Sequence, residues 1–172
     1  ERSDRVVVVY IHSPEEAAPW APGSASRWWL HHSLAALQSQ LEHIRSRLTI
    51  RTGDSLAVLR QCIEDTGADA VYWNREYTPA ARSRDARIKA ALREQGVEVR
   101  SFNAALLVEP WQAQTRAGGP YRVFTPFWKS IRDELRALQP LPAAELPDSP
   151  AIASEPLDSL KLLPKLDWPD RF

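Results

Sequence analysis

The chain has 172 residues, enough for one domain around a single core, with 44% hydrophobic and 26% charged residues, the balance of a globular protein. Lys+Arg and Asp+Glu are both 22, so no net field draws the chain to DNA or to an anionic membrane, and it is a poor candidate for a self-sufficient DNA binder. A single cysteine, Cys62, excludes an internal disulfide; no apolar run approaches a membrane span and no secretory leader is present, so a cytoplasmic location is expected.

Taken in chain order, Arg5–His12 (RVVVVYIH) is a continuous β-branched run, expected as a strand buried on both faces of a parallel sheet. Over Ser26–Leu48, apolar residues at Leu30, Leu34, Leu37, Leu41, Ile44 and Leu48 recur in steps that place one stripe on a helix. A short strand at 48–51 follows. A helix over Ser55–Asp65 is then capped by Asp54 and closed by Gly67. Residues 68–74 (ADAVYWN) read as a strand. Thr78 and Pro79 read as N-cap and first residue of a helix that ends near Gly96, and 97–102 as the next strand. After ALLVEP (105–110) and the Gly118–Gly119–Pro120 turn, Thr125 and Pro126 are expected to open a last helix. The alternation of strand and helix predicts an α/β fold: a Rossmann-like, doubly wound parallel sheet with helices on both faces.

Seven of the 14 prolines lie in residues 140–172, a composition that resists regular structure. The expected organisation is therefore a body over 1–139 and an extended linker over 140–172. Leu160, Leu162, Leu163 and Trp168 of that linker need an apolar surface to lie on.

Open α/β sheets bind ligands beyond the carboxyl ends of their strands. That rule points to His12 and Ser13 after the first strand, and to Asn74, Arg75, Glu76 and Tyr77 after the third. Asn74–Tyr77 supply an amide, a guanidinium, a carboxylate and an amphipathic ring, a set suited to a heterocycle. The bland alternative has Asn74 turning the chain and Arg75 paired with Glu76 or Asp85 in solvent. The basic residues at 75–93 read as a solvated face with i, i+4 pairs, with phosphate contact as the sharper alternative. Cys62 and Trp73 read as core, and burial is the expected fate of Trp28 and Trp29. His31, His32 and His43 lack partners at ligand spacing, so no metal site is expected. No Walker loop, GxGxxG or Ser/His/Asp set is present, and no residue of the chain is assigned a catalytic role.

The stretches VYWNREYTPAARSRD (71–85) and YRVFTPFWKSI (121–131) resemble signatures of the DNA photolyase/cryptochrome family. APGSASRWWLHHSLAALQSQL (21–41) and LLPKLDW (162–168) resemble further parts of it, in the family's order. The resemblance implies the N-terminal antenna-binding domain of a deoxyribodipyrimidine photo-lyase, which repairs pyrimidine dimers in DNA with light. FAD and the DNA-contacting helical domain would lie outside this chain, so the chain alone is expected to be inactive. The resemblance also implies that the family's first β-α unit is absent. The gap would be filled by another copy's strand (a homo-oligomer or strand exchange), by direct pairing of 5–12 with 69–74, or by rearrangement of the N-terminus. In relatives with a folate antenna an Asn-Glu pair touches the pterin; the matching positions are Ala80 and Ala81, which favours a flavin or deazaflavin antenna, or none, over a folate. The rival readings are a cryptochrome photoreceptor and a stand-alone nucleotide-binding module of the universal-stress or electron-transfer-flavoprotein sort; the lack of a Gly-rich phosphate loop counts against the second.

Overall fold

The computed structural model describes residues 5–17, 21–137, 145–147 and 149–165. Four strands and four helices alternate: β1 (Val8–His12), α1 (Ser24–His43), β2 (Leu48–Thr52), α2 (Ser55–Thr66), β3 (Ala70–Asn74), α3 (Pro79–Glu94), β4 (Glu98–Phe102) and α4 (Phe124–Ala137). This is the expected α/β fold. Short 3-10 turns lie at Pro14–Ala17 and Leu157–Leu160.

β1 pairs in parallel with β2 in the register Val8↔Leu48 to His12↔Thr52. β3 pairs with β4, and Glu98 N–H donates to Asp69 C=O while Arg75 N–H donates to Phe102 C=O, so these strands also run the same way. The pairs belong to separate two-stranded sheets. Direct pairing of 5–12 with 69–74 is thus not formed. Neighbouring copies of the chain and residues 1–4 lie outside what the structure describes.

The described residues form two compact units, one comprising 5–17, 21–71, 77–99, 145–147 and 149–165, the other 72–76 and 100–137. In the first, Leu34 and Leu41 of α1 pack with Leu48 and Ile50 of β2 and with Leu160 and Leu162, and Val8 and Tyr10 close the cluster. Leu160 and Leu162 therefore find the surface their sequence calls for, while Leu163 stays about half exposed; Trp168 lies outside the described residues. The expected α1 stripe is narrower than the sequence suggests. Leu37 and Ile44 are exposed, because Leu34 and Leu41 lie within ~20° of each other around a helix while Leu37 is rotated ~60° away. The helix also ends at His43, with Arg45 in the left-handed region (φ 60°), so Ile44 leaves the stripe.

Local signals hold at two helix starts. The Asp54 carboxylate accepts from Ala57 N–H at 2.9 Å, and Thr78 Oγ1 accepts from Ala81 N–H at 3.4 Å. Gly67 closes α2 at φ 68°, a conformation that a Cβ would strain. The expected cap at Thr125 is not formed: α4 begins at Phe124, with Phe127 N–H reaching back to Val123 C=O, so Thr125 and Pro126 sit inside the first turn. Pro tolerates that position because first-turn N–H groups have no intrahelical acceptor. Trp28 is half-buried, its ring 4.4 Å from that of His32, but Trp29 is exposed, against expectation, since it turns to the opposite side of α1 from Leu34 and Leu41. Cys62 is buried as expected, and burial pushes its thiol up from its ordinary pKa. Trp73 is only half-buried.

Candidate functional site

The predicted site residues are divided between the units. His12 and Ser13 belong to the first, at the carboxyl end of β1. Asn74, Arg75 and Glu76 belong to the second, and Tyr77 to the first. Asn74 and Glu76 are exposed; Tyr77 is half-buried.

In the first unit, β1 and β2 end side by side, which brings residue 13 to the loop that starts α2. Ser13 Oγ donates to Gly53 C=O and lies 3.2 Å from Ser55 Oγ. Glu16, on the 3-10 turn, accepts from Ser55 N–H (2.9 Å) and Ser55 Oγ (2.6 Å), placing a carboxylate at the N-terminus of α2, where the helix dipole favours it. Arg87 of α3 reaches Glu16 at 3.4 Å and Asp54 at 2.9 Å. The Ala57 amide, followed by Arg87, holds the Asp54 carboxyl below its usual range. Burial lowers the His12 pKa, and nearby Glu155 opposes that shift. This corner is a carboxylate-filled helix start tied down by one arginine. Arg87 thus reaches to other elements and does not sit in an i, i+4 pair on a solvated face. Arg84 binds its neighbour Asp85 (2.9 Å), and Arg93 donates to Val99 C=O (3.2 Å).

The second unit forms a cleft. Arg75 follows β3, and its N–H donates to Phe102 C=O at the end of β4 (2.8 Å), so the loop after β4 is delivered beside it. There Arg75 Nη2 pairs with Glu109 Oε1 at 2.9 Å, and the guanidinium lies 5.2 Å from the centroid of Trp111. The expected solvent pairing of Arg75 with Glu76 or Asp85 is replaced by this pairing with Glu109, itself buried. A cleft of about 390 Å³ opens against Arg75, Asn103, Leu107, Glu109, Trp111 and Gln112. Gln112 Oε1 accepts from Glu109 N–H (3.0 Å), and Asn103 spans Leu106 with two hydrogen bonds, of 2.6 and 3.0 Å. These bonds fix the loop. The half-exposed indole is left as the flat apolar wall, with a cation and amides around it, a lining that suits a planar heterocycle.

Sequence reading found Arg75 through the strand-end rule but missed Glu109, Trp111, Asn103 and Gln112. Residues 103–120 carry no strand or helix period, and only the β3–β4 pairing reveals that they fold back onto Arg75. Ala80 and Ala81 occupy the first turn of α3, where neither side chain offers a polar group. Among the described residues no three His, Cys, Asp or Glu side chains are grouped as a metal site. No described helix is long and apolar enough to cross a membrane.

Comparisons with known proteins bear on this arrangement. The family model for DNA photolyase matches residues 1–148. A deoxyribodipyrimidine photo-lyase of Agrobacterium fabrum is 44% identical over 175 residues, covering 100% of this chain and 36% of that protein. Cryptochrome-1 of Arabidopsis thaliana is 42% identical over 129 residues, covering 74% of this chain and 19% of that protein. The crystal structure of a bacterial class III photolyase from Agrobacterium tumefaciens matches with a TM-score of 0.83 at 43% identity, over 98% of this chain and 35% of that one. The chain thus spans about a third of the length of the photolyases it matches. Its element order, its parallel strand pairs and the match over residues 1–148 agree: the chain belongs to the DNA photolyase family, of which it forms the N-terminal α/β domain.

Proposed function

We propose that this chain is the chromophore-holding part of a deoxyribodipyrimidine photo-lyase, and that repair of pyrimidine dimers takes place in a parent protein that includes it. The observation that carries this reading is the 44% identity to the Agrobacterium fabrum enzyme over the entire chain. In the parent, FAD and the DNA-contacting surface are assigned to the helical part outside these residues. No nucleophile or general acid–base pair in this chain is given a role in the chemistry. The body is taken as 1–139 and the connector as 140–172, and the parent is taken as cytoplasmic.

The antenna site is assigned to the Arg75 cleft of the second unit, with Asn74 and Glu76 beside Arg75 and with Glu109 and Trp111 added to the residues expected from the sequence. A flavin or deazaflavin is favoured over a folate, on the ground that Ala80 and Ala81 cannot hydrogen-bond a pterin. The test is to titrate the chain with a flavin, a deazaflavin and a folate while following absorbance and tryptophan fluorescence. A flavin-type ligand should quench Trp111. Arg75→Ala or Trp111→Ala should weaken it about tenfold, the effect of ~1.4 kcal/mol. Binding of the folate alone overturns the chromophore preference. In a parallel assay, blue light with dimer-containing DNA should give repair by the parent and none by the 172-residue chain; repair by the chain alone would reverse the division of roles.

A cryptochrome is the second reading, favoured by the 42% identity to the Arabidopsis protein. The same assay separates the two, since a parent that absorbs blue light but leaves dimers intact is the photoreceptor.

A further inference from the structure

We propose that the loop joining β2 to α2 is a junction that couples the docked segment 154–162 to the Pro14–Ala17 turn, so that loosening either grip on the loop loosens the other. The coupling does not depend on the chromophore reading. It is carried by one hydrogen-bond pattern that the first unit makes twice.

Glu155 takes Thr52 with both carboxylate oxygens: Oε1 accepts from Thr52 N–H (2.8 Å) and Oε2 from Thr52 Oγ1 (2.9 Å). Three residues later Glu16 takes Ser55 in the same way, Oε1 accepting from Ser55 N–H (2.9 Å) and Oε2 from Ser55 Oγ (2.6 Å). Each carboxylate holds the amide and the hydroxyl of one residue, and together they grip both ends of the loop 52–55.

The two residues between are tied as well, to other elements. Gly53 N–H donates to His12 C=O (3.1 Å), and Gly53 C=O accepts from Ser13 Oγ. Asp54 caps α2 and pairs with Arg87 of α3 at 2.9 Å, and the same guanidinium reaches Glu16 at 3.4 Å. The end of β1, the 3-10 turn, α3 and the C-terminal segment therefore all hold one short stretch of backbone.

Two features make that stretch a transmitter and not a row of separate contacts. Thr52, Gly53 and Asp54 are exposed, so the bonds, and not side-chain packing, keep the loop in place. Gly53 sits at φ 138°, a conformation that only glycine adopts readily and that it leaves at little steric cost. With Thr52 released, the backbone is free to turn at Gly53, and the direction of the Ser55 N–H toward Glu16 changes with it. Members of one hydrogen-bond network are coupled in this manner, and the coupling is felt in both directions.

The segment 154–162 reaches Thr52 on a firm footing. Ile50 N–H donates to Ser154 Oγ (2.9 Å) and Ile50 C=O accepts from Glu155 N–H (2.8 Å), which seals that edge of β2, while Leu160 and Leu162 enter the core. A displacement of the segment thus pulls on Glu155, and through the loop on Glu16 and Arg87.

Native-state hydrogen exchange of the 172-residue chain gives the test. Glu155→Ala should speed exchange of the Ser55 amide, which Glu155 does not touch, and Glu16→Ala should speed that of the Thr52 amide. Each effect should be at least about twofold, the lower end for groups in one network. Both are measured relative to the Leu92 amide in the core of α3, which reports opening of the whole domain. In the double variant the Ser55 rate should rise by less than the product of the two single effects. Should Glu16→Ala fail to fold, Thr52→Val, which removes only the Oγ1 bond to Glu155, should still speed the Ser55 amide. A Ser55 amide that merely follows Leu92 in the Glu155 and Thr52 variants overturns the proposal, as does a Thr52 amide that does so in the Glu16 variant. A double variant whose effects multiply overturns it too.

Discussion

At the scale of single residues, Thr49 tests how strictly the core follows hydrogen-bond accounting. It sits in the middle of β2 at 0% exposure, and its hydroxyl has no hydrogen-bond partner among the described residues. A buried polar atom left unpaired costs ~1–3 kcal/mol, and valine has nearly the same shape without the hydroxyl. Thr49→Val should therefore raise stability by about 1 kcal/mol and the midpoint of thermal unfolding by ~2–4 °C. A lower midpoint would mean that the hydroxyl has a partner after all. His12 sets a pH dependence whose sign follows from burial. Its pKa in the folded chain is below the ordinary 6.5, so as pH falls below that value the unfolded chain takes up protons first. Its contribution is fully present above pH 6.5 and is lost as acid approaches the folded pKa. The urea midpoint should fall between pH 7 and 5, and His12→Gln should flatten that slope. Asp54 acts in a lower window, below its ordinary 3.8, so it does not confuse the measurement.

Among the elements, those carrying their own chemistry were legible in the sequence, and those held by distant partners were not. Asp54, Thr78 and Gly67 mark their helix ends because capping is settled within a few residues. The Arg75 strand end was legible for the same reason, but its pairing with Glu109 and Trp111 joins residues 34 and 36 positions apart and leaves no local signal. Residues 154–155 are the clearest instance. Proline spacing announced an irregular segment and Leu160 and Leu162 announced that it docks, but nothing marked Glu155 as the substitute for a neighbouring strand. Its carboxylate takes Thr52 N–H at 2.8 Å and Thr52 Oγ1 at 2.9 Å. Thr52 is exposed, so water would replace part of that interaction. Glu155→Ala should cost about 1 kcal/mol rather than the penalty of a buried donor, and should speed exchange of the Thr52 amide. An unchanged exchange rate would show that the seal rests on the Leu160 and Leu162 packing alone.

For the molecule as a whole, the distribution of buried side chains decides which part holds longest. The first unit owns Leu34, Leu41, Leu48, Ile50, Cys62, Ile88, Leu92, Val97 and Val99 as buried side chains, with Leu160 and Leu162 brought in from the C-terminal segment. In the second, Ile131 is the buried apolar residue among those described, beside an ion pair and rings such as Phe124 and Trp128 that stay exposed. Local stability follows the burial of apolar side chains, so opening free energies should differ between the units. α4 has an amphipathic sequence, but most helical stability comes from packing such a face, and on this one Ile131 is buried while Phe124 and Trp128 stay exposed. Hydrogen exchange of the 172-residue chain should therefore show the amides of 124–137 exchanging well before those of α2 and α3, by a factor of at least ten if the gap in opening free energy exceeds ~1.4 kcal/mol. Equal protection would mean that the chain opens as one cooperative body. Early exchange of α4 would place the Arg75 cleft, built in the same unit, on the part of the domain that yields first, and a ligand held there should slow exchange in α4 as well as in its own loop.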